Sequence, residues 1–105
     1  LHSQTESGMN TYKRNPSTAL ALAYGYVTKL GYTHAMLMRA NACVNYPTLR
    51  NIRDGKPLKN VTERFYLKLF VGLINDYYVK EIACGGKQAT QLLIAMKNIL
   101  LAHLE

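Results

Sequence analysis

The sequence has no tryptophan, only three prolines and two cysteines, and six acidic residues against thirteen Lys and Arg. Two isolated cysteines, Cys43 and Cys84, give neither a CxxC pair nor a framework. That excludes a disulfide-stapled secreted fold and a cysteine zinc site, and both read as reduced thiols in a cytoplasmic protein. No charged start leads into an apolar run, so no signal peptide is expected. No apolar stretch approaches the ~18 residues of a membrane span, so no membrane partner is expected. No alternating run bounded by hairpin turns occurs, which leaves essentially no sheet.

The means of catalysis are missing too. His2, His34 and His103 lie far apart, and none stands at metal-ligand spacing. Glu6, Asp54, Glu63, Asp76, Glu81 and Glu105 offer no close pair for acid–base work. Gly85-Gly86-Lys87 looks like the end of a phosphate-binding loop. However, Glu81 occupies the earlier glycine position and Gln88 stands where Ser or Thr is needed, so the glycines read as a helix stop. The expectation is a non-enzyme with no metal and no cofactor.

What is present is a basic, ordinarily apolar chain of 105 residues, enough for one domain with a single core. Hydrophobic residues make up 49%, with eight Tyr and two Phe supplying the rings. A net charge of +7 favours a polyanionic partner, nucleic acid before an anionic membrane surface.

Residues 1–15 are polar and aperiodic and read as a flexible N-terminal segment. Met9 is a candidate start, with residues 1–8 a vector remnant. Tyr12 to Pro16 form a basic lead-in that a phosphate or minor groove can accept. Proline suits a first helical turn, so helix one is expected near Pro16, capped by Asn15 or Ser17. Ala19, Leu22, Ala23, Tyr26, Val27 and Leu30 supply its apolar face. Gly31 ends it.

Thr33 caps helix two, expected to about Ala42. Ala35, Met36, Leu37, Met38 and Ala40 are apolar nearly all round, so burial on more than one side is expected, with the methionines in the core rather than on a metal. A turn at 42–44 leads to Asn45, the cap of helix three. Tyr46 and Pro47 open that helix, Leu49 and Ile52 face in, Arg50, Asn51, Arg53 and Asp54 face out, and Gly55 stops it. Asn60-Val61-Thr62-Glu63 is a capping box for helix four, with Asn60 as N-cap. The glycosylation sequon in the same letters is read as coincidence. Phe65, Leu69, Leu73 and Phe70 are the expected buried face, with room for a kink at Gly72 or Asn75-Asp76. The last helix, within 87–105, carries Leu92, Leu93, Met96, Ile99, Leu100 and His103 on one face, and Ile94, Leu101 and Leu104 elsewhere. Two apolar faces on one terminal helix suggest a second copy as partner.

The stretch from Ala19 to Ile74 resembles the lambda-repressor-like helix-turn-helix domains of the Xre family of bacterial and phage regulators. Gly31-Tyr32-Thr33 is similar to the family's Gly-aliphatic-Thr opening, with His34 where Gln is usual. Val44-Asn45-Tyr46-Pro47-Thr48-Leu49-Arg50-Asn51-Ile52 resembles Val-Ser-x-x-Thr-Ile-Ser-x-Ile, and Arg53-Asp54-Gly55-Lys56 resembles Glu-x-Gly-Lys. The family's turn glycine is replaced by Ala42 or Cys43, and one extra residue lies between Gly31 and Thr48.

The resemblance implies an all-α protein of about five helices. With the helix reading above, a helix-turn-helix core is expected over 16–84, and the doubly apolar C-terminal helix within 85–105 is expected to serve dimerisation. The resemblance implies a sequence-specific regulator of double-stranded DNA, with residues 45–54 as the recognition helix in the major groove. Asn45, Tyr46 and Thr48 then lie near base edges or the sugar-phosphate rim. Arg50 and Asn51 suit guanine and adenine respectively. Thr33 and His34 meet a phosphate, and Arg53, Lys56 and Lys59 belong to the same basic stretch. The rival class is a protein–protein interaction module or antitoxin-like component that uses the bundle and its last helix. No second domain is left for a small-molecule effector.

Overall fold

A computed structural model describes residues 17–104. The basic lead-in 12–16, the Asn15 cap and the segment 1–8 lie outside the described residues. Among those described, the chain is all-helical, with five helices and no strand. They are α1 (Thr18–Lys29), α2 (His34–Ala40), α3 (Tyr46–Arg53), α4 (Asn60–Ala83) and α5 (Ala89–Leu104). Helices α1, α4 and α5 pack on one another as a three-helix bundle. Helix α3 lies against α1, and the short α2 has its backbone closest to α3, with His34 reaching Tyr24 of α1. No helix is long and apolar enough to cross a membrane.

The core is one cluster. Leu20, Ala23 and Val27 of α1, Phe70 and Ile74 of α4, and Leu92 and Ile99 of α5 interlock in the bundle. Leu37, Val44, Leu49, Ile52 and Leu58 extend the cluster beneath the short helices. Burying each large side chain stabilises the fold by about 1.5–3 kcal/mol. The 24-residue α4 runs unbroken through Gly72 and Asn75-Asp76 because its N-terminal half and its middle are both anchored in that cluster.

Glycine terminates the helices by a shared mechanism. At the end of α1, the Gly31 N–H bonds to Thr28 O (3.0 Å) and the Tyr32 N–H to Val27 O (3.1 Å). At the end of α3, Gly55 and Lys56 repeat the pattern onto Ile52 O (3.2 Å) and Asn51 O (2.8 Å). These are Schellman closures, and they need a left-handed residue: Gly31 has φ 101° and Gly55 φ 73°.

Several expectations are corrected. Of the two caps offered for helix one, Ser17 serves, so the helix begins at Thr18. Ala19, Ala23 and Val27 of its expected face are buried, but Leu20 joins them and Leu22 is exposed. Helix two ends at Ala40 rather than Ala42, since Asn41 turns extended. It is not buried on several sides: Leu37 is its only fully buried residue and Met36 is exposed. On α4 the buried row is Tyr66, Leu67, Phe70 and Ile74; Phe70 is buried as expected, whereas Phe65, Leu69 and Leu73 are half-buried, one position off that row. On α5 only Leu92 and Ile99 are buried; Leu93, Leu100 and His103 face outward.

The capping box is also different. Lys59, not Asn60, is the N-cap of α4, with no side-chain cap bond, and Asn60 Oδ1 is buried without a partner. Glu63, buried, instead accepts the Ser17 N–H at 2.7 Å. The Ser17 hydroxyl accepts the Leu20 N–H at 3.1 Å. A capping box is thus assembled across two helices, with α4 supplying the carboxylate that α1 lacks.

Candidate nucleic-acid interface

The unit α2–turn–α3 is built from two side-chain caps and one turn. Thr33 Oγ1 accepts the Met36 N–H (3.2 Å) and Asn45 Oδ1 accepts the Thr48 N–H (2.9 Å). Pro47 sits in the first turn of α3, where its missing amide proton leaves no bond unmade. Between the helices, Asn41 Oδ1 accepts the Cys43 N–H (2.8 Å) and Asn41 O the Val44 N–H (3.1 Å). The turn is therefore organised by an asparagine. No non-glycine residue among those described has positive φ, so the turn needs no glycine. Val44 closes the turn by burying its side chain.

Two further contacts hold the start of α3, and neither was evident in the sequence. The Tyr66 hydroxyl of α4 accepts the Asn45 N–H at 3.2 Å. From the other side runs a row of rings. Phe70 in the core meets Tyr24 (6.0 Å between centroids), and Tyr24 meets His34 (6.1 Å). His34 in turn stands edge-on to Tyr46 (5.6 Å). The Tyr24 hydroxyl and His34 Nε2 are hydrogen-bonded at 2.9 Å. The row ends on Arg50, whose guanidinium lies 5.3 Å from the Tyr46 ring centroid, a cation–π contact worth about 0.5–1 kcal/mol at an exposed site. Four helices thus contribute to fixing one arginine.

The ten residues singled out in the sequence fall into distinct places. Tyr46, Arg50 and Arg53 recur at i, i+4 and i+7 along one exposed flank of α3. Asn51 is half-buried on the adjoining flank, and Thr48 is half-buried at the first turn. Thr33 and Asn45 are exposed but spend their side-chain oxygens as caps. His34 is half-buried and engaged with Tyr24. Lys56 and Lys59 are exposed on the connector that follows α3.

Arg53 is not free. Its Nε donates to Asp54 Oδ1 at 2.9 Å. That hydrogen bond raises Arg53 above its ordinary value and, with the nearby cations, holds the Asp54 carboxyl below the usual 3.8. Both side chains are exposed, so the pair neutralises one positive charge without adding much stability. Arg50 on α3 and Lys56 and Lys59 on the connector after it have no ion-pair partner among the described residues. From Arg50 to Lys68 six basic residues face two acidic ones, and one of the two, Glu63, is buried in the cross-helix cap.

No three His, Cys, Asp or Glu side chains among the described residues converge as a metal set. Outside this interface the most conspicuous surface is α5, where Leu93, Ile94, Leu100, Leu101 and Leu104 are each more than half exposed, from 51% to 72%. Comparison with protein-family models, with curated proteins and with solved structures returns no match to this chain.

Proposed function

We propose that this protein is a sequence-specific double-stranded DNA-binding regulator of Xre-like helix-turn-helix type, with α3 in the major groove, acting as a homodimer through α5. The observation that carries the reading is the pinned N-terminus of α3. A short helix held by Asn45, Tyr66 and His34 presents Tyr46 and Arg50 outward on a surface where basic residues outnumber acidic ones. Rigidly aimed side chains at a helix start suit base-edge recognition. The held guanidinium suits guanine O6 and N7, at about 1–3 kcal/mol of discrimination. Lys56, Lys59 and the exposed ends of Thr33 and Asn45 suit the phosphate rim.

The dimer half rests on α5. Five largely exposed apolar side chains on one helix exceed what a solitary small domain ordinarily leaves in water. Two copies joined there would set their α3 helices for half-sites about 34 Å apart.

The test is binding to random duplex DNA across a salt series. Phosphate-based binding weakens with a log–log slope of about −0.9 per neutralised phosphate. A chain with no affinity for any duplex at low salt is not a DNA-binding regulator. Arg50→Ala together with Tyr46→Ala should flatten sequence preference in a selected-site assay while non-specific binding persists. For the dimer, Leu101→Glu should convert the species in sedimentation to a monomer with unchanged helical content. A second reading, an antitoxin-like interaction module, is favoured by the same apolar face of α5; it predicts a dry DNA assay and a heterologous protein seated on that face.

A further inference from the structure

Helix α2 has its backbone closest to α3, and its Met36 side opens onto a cavity. The space, about 440 Å³, lies between the end of α1, the start of the helix-turn-helix and the C-terminal half of α4. It is lined by Leu30, Tyr32, Met36, Tyr77, Lys80, Glu81 and Cys84. Its volume falls in the range of small-molecule sites, about 300–1,000 Å³. The walls are apolar and aromatic: Leu30, Met36 and the rings of Tyr32 and Tyr77. Burial, reinforced by Asp76 and Tyr77, raises the Tyr32 phenol above its ordinary value, so the hydroxyl stays a neutral donor at the wall.

The polar part consists of two opposite charges. Lys80 and Glu81 are adjacent on α4, both line the cavity, and neither side chain has a hydrogen bond or ion pair among the described residues. Glu81 is half-buried, and its carboxylate lies over Gly86, where a Cβ would collide with it. That holds the carboxylate against the turn that closes α4, as an anion at the cavity wall that suits a cation. Lys80 next to it offers the complementary anion site.

We propose that this cavity binds a free α-amino acid with an aromatic side chain. The ligand's ammonium sits on Glu81, its carboxylate on Lys80, and its ring lies among Leu30, Tyr32, Met36 and Tyr77. A ligand there touches Met36 and fills the space beside α2, so it alters how firmly α2 backs the DNA-facing α3. The regulatory half of the proposal rests on the DNA-binding reading; the ligand half does not.

The experiment is calorimetric titration of the whole chain, without DNA, with L-tryptophan, tryptamine, indole-3-propionate and indole. Saturable binding of tryptophan is expected, with tryptamine and indole-3-propionate each weaker by about tenfold because each lacks one of the two charges. Lys80→Met and Glu81→Gln should each weaken tryptophan by about tenfold while leaving the melting curve of the free protein in place. Absence of saturable uptake of tryptophan, phenylalanine and tyrosine to about 10 mM by folded protein overturns the site. Indole binding as tightly as tryptophan overturns it too, because the charges would then be idle. A second arm measures duplex affinity at fixed salt with and without tryptophan. A shift of about fivefold or more supports the coupling, and an unchanged affinity refutes regulation while leaving the site to the calorimetry. If no duplex binds at all, the DNA-binding reading and its regulation fail together, and the calorimetry still decides the ligand.

Discussion

Replacing Glu63 with alanine removes the carboxylate that caps another helix. In the native fold Glu63 is 3% exposed and accepts the Ser17 N–H at 2.7 Å. A hydrogen bond to a charged acceptor contributes about 1.5–3 kcal/mol, and an orphaned buried donor costs about 1–3 kcal/mol. Ser17 is only half-buried, so water recovers part of the second amount, and the net loss should be about 3 kcal/mol. For a domain of this size that corresponds to a fall in Tm on the order of 15 °C. Glu63→Gln keeps an acceptor but loses the charge, and should cost about half as much. Urea unfolding followed by far-UV circular dichroism at neutral pH measures both. Amide exchange at Ser17 gives a local readout, and the N–H should exchange faster in Glu63→Ala. The reasoning is refuted if Glu63→Ala stays within about 0.5 kcal/mol of the parent, or if Gln is as damaging as Ala. Either result would mean that the cross-helix cap does not hold α1 to α4.

Other expectations follow from the same geometry. Leu37→Ala empties the only fully buried position of α2 and should cost about 2–4 kcal/mol, with amide exchange in α2 rising before that in α4. Gly55→Ala forces a Cβ onto φ 73°, which at about 1–2 kcal/mol should lower Tm although the added atom meets open space. Asp54 has a folded-state pKa below its ordinary 3.8 because Arg53 hydrogen-bonds to it. Its small contribution is therefore present above the unfolded value and lost as pH falls through the folded one. Carboxyl NMR should find the Asp54 midpoint below 3.8, and Arg53→Ala should return it upward; an unmoved midpoint would rule the pair out in solution.

Much of the local structure could be read from single residues. Thr33 and Asn45 announce the caps of α2 and α3 because a short hydroxyl or amide before an apolar run has one good use there. Gly31 and Gly55 announce the ends because only glycine takes the left-handed turn without cost. Leu49 and Ile52, three apart in a helix of eight residues, have one inward solution. Periodicity served less well on the longer helices. Helix α4 carries aromatic and aliphatic residues on most of its circumference, so Phe65-Leu69-Leu73 and Tyr66-Phe70-Ile74 are equally good stripes in isolation. Neighbouring α1 and α5 selected the second. Helix α5 presented the same ambiguity, and its neighbours covered Leu92 and Ile99 only.

By itself, then, the sequence determined the class of fold, the number of helices, the caps of α2 and α3 and the two ends of the short α3. All of these depend on interactions within about five residues, where backbone hydrogen bonding and steric limits act directly. The tertiary structure decided which stripe of each long helix is buried. It also decided that Glu63 caps α1 rather than α4, that Phe70, Tyr24, His34 and Tyr46 form a row ending on Arg50, and that a cavity is left behind α2. Each of those brings together residues far apart in the chain. Their meeting is set by how the helices share one core, which no local pattern encodes.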